Sequence, residues 1–180
     1  LSEIQEVHIE HTSKCNLLCP KCARVVDGKK NPELPLKTLD LSDYENTFSK
    51  SLCRQIKHLY FCGNYGDPAA ASNFLDCVEF LRKQGVPRIS VFSNGSLQTA
   101  KWWQQLAKIL NQPKDFVNFS IDGLEDTNHL YRKNSHWNSI IENVSSFIKS
   151  GGQARWDWLV FEHNKHQIEQ ARRLSQQLGF

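Results

Sequence analysis

Three cysteines stand within eight residues of one another in Cys15-Asn16-Leu17-Leu18-Cys19-Pro20-Lys21-Cys22, a C-x3-C-x2-C spacing. Thiolates are soft donors, and three on so short a loop can wrap one face of a four-iron, four-sulfur cube. A structural zinc site would want a fourth ligand, usually from a second C-x2-C or a His pair, and ferredoxin-type loops likewise bring a fourth Cys. Neither completion is evident. His8 alternates with apolar neighbours and reads as a packed strand residue. His11 reads as a plain loop residue before it reads as a ligand. Three ligands on four irons leave one iron without protein coordination, and an open position is what separates catalytic from structural metal sites. Two blander readings stand beside this one. The first is a non-catalytic Fe–S or zinc module for electron transfer or structure, closed by a fourth protein ligand. The second is an ordinary α/β binding domain with incidental cysteines.

The elements that must position these thiols follow one repeated pattern: a short strand-like run, a polar or Gly-rich turn, then an amphipathic helix. The strands are read at 6–10, 58–62, 89–92, 116–121 and 156–161. The first helix opens on a capping box, Ser42 with Glu45 three residues on, and carries Tyr44, Phe48, Leu52 and Ile56 on one face. Later helices align Phe74, Val78 and Leu81, then Trp103, Leu106 and Leu110, then Trp137, Ile140, Val144, Phe147 and Ile148, and last Ile168, Ala171, Leu174 and Leu178. Five such units without hairpin signals between strands require parallel strands joined by crossover helices. A full or partial barrel and an open doubly wound sheet both satisfy this. In either, ligands gather at the carboxyl ends of the strands. The unusual residues fall at those ends: the cysteine loop, Gly63 to Pro68, Ser93-Asn94-Gly95, Ser120-Ile121-Asp122-Gly123 and Glu162-His163-Asn164.

The 180 residues suffice for one domain with a real core, and the net charge of +3 is too small to argue for nucleic acid or an anionic membrane. The one dense basic spot, Lys29-Lys30, reads as a solvated loop. No apolar run approaches a membrane span, and Leu1-Ser2-Glu3 lacks the layout of a leader peptide, so a cytoplasmic protein is expected. A tight cysteine cluster in such a chain reads as metal binding, while Cys53, Cys62 and Cys77 read as small buried hydrophobes. There is no Met, and the chain stops at Phe180 directly after a helical pattern, so a fragment is expected.

C-x3-C-x2-C at the end of a first strand resembles the signature of the radical S-adenosylmethionine (radical SAM) superfamily, and the motif style resembles its maturase-like branch. Gly63-Asn64-Tyr65-Gly66-Asp67-Pro68 resembles that family's Gly-Gly-Glu-Pro motif, with Asp67 in place of the commoner Glu. The resemblance implies a partial (β/α) barrel with a parallel sheet, five β/α units being visible of an expected six, over a radical SAM core domain of residues 1–180. The missing strand is expected beyond Phe180. It implies a 4Fe–4S cluster on Cys15, Cys19 and Cys22, whose open iron chelates S-adenosylmethionine and reductively cleaves it to a 5′-deoxyadenosyl radical. It also implies cofactor contacts from Gly63, Tyr65, Gly66 and Asp67 at the methionine amine, and from Ser120 and Asp122 at the carboxylate or ribose. Further contacts are implied for Ser93, Asn94, Asn164, Arg132 and the Lys21 backbone. Lys21 is a departure, because the family often has an aromatic residue there. A low-potential electron donor of flavodoxin or ferredoxin type is implied as partner, with a peptide or small-molecule substrate. Trp158, on one face of the fifth strand, is expected in the cavity wall.

Overall fold

The computed structural model describes residues 4–180; Leu1-Ser2-Glu3, read above for its unlike-leader layout, lies outside the described residues. Five parallel strands form one sheet: β1 (Glu6–Ile9), β4 (His58–Phe61), β5 (Ile89–Ser93), β6 (Phe116–Ser120) and β7 (Ala154–Asp157), in the order β1-β4-β5-β6-β7. Spatial order follows chain order with no reversal, which is the winding of a barrel segment; a doubly wound sheet reverses at a switch point. The register aligns Val7 with Leu59 and Leu59 with Ile89, then Val91 with Val117 and Val117 with Ala154.

Helices α1 (Leu41–Thr47), α2 (Lys50–Gln55), α3 (Phe74–Gln84), α4 (Ala100–Ile109), α5 (Asn128–Tyr131), α6 (Trp137–Lys149) and α7 (Ile168–Leu178) connect the strands. Alternation along each strand decides which face they cover. Leu59, Phe61, Ile89, Val91, Val117 and Phe119 point into the helix-side core and are fully buried there, against Phe74, Trp103, Leu106 and Phe147. Truncating one such aromatic costs roughly 3–5 kcal/mol, so this layer is what holds the strand ends in place. The opposite face is more polar: His8 stacks on Tyr60 with ring centroids 4.9 Å apart, and His58 bonds Ser90 at 2.9 Å. His8 is therefore exposed on the other side of the sheet, not packed among its apolar neighbours.

Three local expectations change. The helix read across Ser42 to Ile56 is broken, because Phe48 leaves the helical region and Ser49 starts α2 by accepting a hydrogen bond from Leu52 N at 3.2 Å. The capping box at the start of α1 is formed by Asp40 and Asp43, not Ser42 and Glu45. The fifth strand ends at Asp157, because β6 has run out beside it: after the bond from Ile121 N to Asp157 O, Leu159 N turns to the Asp122 side chain. Leu159 and Val160 are left 51% and 60% exposed. A small hairpin also appears in the loop after the cysteines, β2 (Val25–Val26) with β3 (Lys29–Lys30). Asp27-Gly28 forms its turn with both φ angles positive, a short-range signal present in the sequence.

Candidate functional site

The cysteine loop leaves β1 and folds back on itself. Cys22 N bonds Cys19 O at 3.0 Å and Val25 N bonds Cys22 O at 2.9 Å, giving two consecutive tight turns. Leu17 is buried beneath, and its N–H lies 3.4 Å from Cys15 Sγ. Buried Arg24 donates from Nε to Ser13 O at 3.1 Å. The loop root is tied to the returning chain by Ser13 N to Lys37 O and Leu39 N to His11 O, both 2.9 Å. His11 is buried between Tyr44 Oη at 2.7 Å and Asn73 Oδ1 at 3.2 Å, so it is an anchor of this root, away from the cysteine sulfurs.

The exit of β4 is pressed against this loop. A Cβ on Gly66 would lie 1.8 Å from the carbonyl oxygen of Thr12 and 3.0 Å from that of Lys14, so only glycine permits this approach. Asp67 N then donates to Lys14 O at 2.8 Å. The buried Asp67 carboxylate is saturated: Oδ1 accepts from Ala69 N and Ser93 Oγ, and Oδ2 from Asn94 N at 2.8 Å and Asn94 Nδ2 at 2.6 Å. Burial pushes its pKa up, against the pull of those donors. Asn94 Nδ2 also lies 3.8 Å from Cys15 Sγ, so Asp67 meets the thiols through Asn94.

One bowl collects the result. Cys15, Cys19 and Cys22 line it together with Gly63, Gly66, Asp67, Ser93, Asn94, Ser120 and Arg132. Four of the residues expected to contact the cofactor lie outside its lining. Lys21 is exposed on the loop, and Tyr65 lines a different groove with His11 and Leu39. Asp122 and Asn164 are fully buried behind the wall. Trp158 is elsewhere too, just past the end of β7, in a groove formed with Trp156, Ile168 and Ala171 on the α7 side. Sequence reading missed Arg24, Phe92 and Tyr131, all in the lining. Alternation along β5 points Phe92 the same way as Ser90 and Asn94, and was signal enough to find it; Arg24 carried none. Cys62 also lines the bowl, so it is not the small buried hydrophobe expected, whereas Cys53 and Cys77 are fully buried in the core.

All six cysteines are unpaired. Burial pushes the Cys15 thiol up to about 11, with Asp67 adding to it, and raises Cys19 against the opposing pull of Arg132. Metal binding takes the thiolate, so loading this loop releases protons. Among the described residues no three His, Cys, Asp or Glu side chains close on a single-ion point. Cys15 Sγ has Leu17 N and Asn94 Nδ2 beside it and Cys19 Sγ has Arg132 Nη1, while Cys22 Sγ lies 3.9 Å from Asn64 O; soft thiolates with donors beside them suit an iron–sulfur group.

Fold and site together define a class: a partial β/α barrel with a thiol-rich ligand bowl at the carboxyl ends of its strands. The sequence model of the radical SAM superfamily matches residues 9–174, and the chain belongs to that superfamily. Members of this family use a 4Fe–4S cluster and S-adenosylmethionine. Among solved structures, anSMEcpe with bound AdoMet is similar at a TM-score of 0.74 and 16% identity, over 98% of this chain and 47% of that one. Streptococcus suis SuiB, bound to its precursor peptide SuiA, is similar at 0.74 and 14%, over 99% and 38%. BtrN in complex with AdoMet and 2-DOIA is more distant, at 0.56 and 16%, over 87% and 57%. The chain thus spans less than half the length of the first two, and these identities establish a shared fold. No curated protein matches the sequence.

Proposed function

We propose that residues 1–180 form one radical SAM core domain in which Cys15, Cys19 and Cys22 hold a 4Fe–4S cluster, and that the whole protein is a radical SAM enzyme. The observation that carries this is the gathering of three free thiols with Asn94, Ser120 and Arg132 in a single bowl at the strand ends. The chemistry a bound cluster supplies is one electron to the C5′–S bond of S-adenosylmethionine, giving a 5′-deoxyadenosyl radical that takes hydrogen from a substrate.

The chain's own residues prepare the place. Gly66 lets the turn after β4 press on the loop, Gly63 packs against Gly66 within that turn, and backbone carbonyls there accept from an ammonium group. Asp67 keeps Ser93 and Asn94 turned to the rim, and Ser120 and Arg132 face the bowl from β6 and the segment after α5. Lys21 and Tyr65 are left with backbone roles, and Asp122 and Asn164 act from behind the wall. A peptide substrate is favoured over a small molecule, on the likeness to SuiB with its precursor peptide and to anSMEcpe with a Cp18Cys peptide, although BtrN carries 2-DOIA. A flavodoxin- or ferredoxin-type donor recharges the site. Unpaired cysteines fit a reducing cytoplasm; among the described residues no helix is long and apolar enough to cross a membrane.

Anaerobic reconstitution tests the reading: about four irons and four sulfides per chain, lost in the Cys15, Cys19 and Cys22 alanine variants, and 5′-deoxyadenosine after dithionite and S-adenosylmethionine. One iron or one zinc per chain sinks it. A second reading has one observation behind it, because Cys62 in the same bowl could complete a closed four-thiolate site for electron transfer. Under that reading Cys62→Ala loses the cluster; under the first it keeps it.

A further inference from the structure

Arg132 reaches the cysteine loop from a support built behind the bowl. Its Nε donates to Asp122 Oδ2 at 2.6 Å, while Asp122 Oδ1 accepts from Leu159 N at 2.6 Å. Asn164 locks that arrangement: its Nδ2 donates to the carbonyl oxygens of Asp122 and Leu159 at 2.8 and 2.9 Å, and its Oδ1 accepts from Phe161 N at 2.7 Å. Held by one edge of its guanidinium, Arg132 places Nη1 4.0 Å from Cys19 Sγ. The loop is pinned beside this contact by Leu18 N to Lys133 O at 3.1 Å. The Asp122 and Arg132 side chains are 1% and 18% exposed, so water and salt screen their charges poorly.

The geometry points to a redox-setting arm: Arg132, oriented by Asp122 and Asn164, is a positioning residue that donates to the Cys19 sulfur and raises the reduction potential of the cluster there. This rests on the reading of Cys19 as a cluster ligand. Reduction adds one electron from an external low-potential donor, and the added negative charge is stabilised by a cation and by a hydrogen bond to sulfur. Asp122, an anion a few ångströms further back, opposes the same step. The arm thus contains both signs of charge, and it gives a role to two residues that do not line the bowl.

Opposite charges make the test specific. In the reconstituted chain, the midpoint potential is read by mediated redox titration, following the EPR signal of the reduced cluster. Arg132→Gln is expected to shift it negative, and Arg132→Lys to fall between Gln and the parent. Asp122→Asn offers one acceptor where Arg132 Nε and Leu159 N each need one, so it is read in the Arg132→Gln background, where it is expected to shift the potential back toward positive. A purely structural role moves both positions the same way or neither, and either result overturns the inference. Should Asp122→Asn not load, the Arg132 series decides alone: three equal potentials overturn it, and a graded negative shift supports it. A parent chain with no four-iron cluster by iron and sulfide content is a different failure, that of the underlying reading, and removes this inference with it.

Discussion

On the loop side of the bowl, the chain from Thr12 to Asp40 hangs from β1 by neutral partners: Thr12 Oγ1 to Thr38 Oγ1 at 2.8 Å, Ser13 Oγ to Pro35 O at 2.6 Å, and His11 between Tyr44 and Asn73. Its one buried cation, Arg24, donates to carbonyl oxygens. On the strand side two buried carboxylates do the holding, Asp67 with Ser93 and Asn94, and Asp122 with Arg132. Neutral hydrogen bonds contribute about 1 kcal/mol each, and charge-assisted ones roughly twice that. The sulfur donors therefore sit on the more adjustable side and face a stiffer wall. Gly66 is the seam between the two.

The harshest way to break that division is at the seam. Gly66→Ala drives a methyl group into the Thr12 carbonyl, and both sides must yield. The expected cost is about 3 kcal/mol or more, at the upper end of overpacking effects, with loss of iron loading; a variant that loads normally would show the sides to be independent. Next is Asp67→Ala, which strands the donors of Ala69, Ser93 and Asn94. It should lower stability by about 2–4 kcal/mol in denaturant unfolding. An effect below that of a neutral bond would erase the contrast in stiffness.

The loop side is probed more gently by pH. Burial lowers the pKa of His11 from 6.5, so below that value the unfolded chain binds more protons than the folded one. Stability should then fall as pH drops from 6.5 toward the lowered folded pKa, by at most about 1.4 kcal/mol per pH unit. His11→Gln should flatten that limb of a pH-dependent unfolding series, and an unchanged slope would place the anchor elsewhere. The smallest effect is expected of Trp158→Ala, which belongs to neither side: iron content and S-adenosylmethionine binding should match the parent.

Much of this was legible in the chain. The cysteine spacing, the five β/α units and the gathering of polar residues at one end of the strands follow from period and punctuation alone. What escaped was set by pairing. Trp156 to Phe161 reads as one strand, yet Asp157 is the last residue that β6 can accompany. Tyr44, Phe48, Leu52 and Ile56 keep perfect helical spacing, yet Ser49 offers a cap that splits them. At the site, Asp122 and Asn164 were singled out as unusual residues at strand ends, and residue type cannot say whether such a group faces a ligand or braces the residue that does. Asp27-Gly28 is different: the hairpin signal was there, masked by its setting in a long Pro-containing loop.

Strand order in the sheet is the order of synthesis, so each β/α unit can dock on the one already made. The cysteine loop is the exception to this tidy progression. It belongs to the first unit, but Leu18 leans on Lys133 and Cys19 on Arg132, 113 positions later in the chain. A nascent chain carries its thiols through three further units before their last support exists. If these thiols hold the proposed cluster, its site is complete only once Lys133 has emerged.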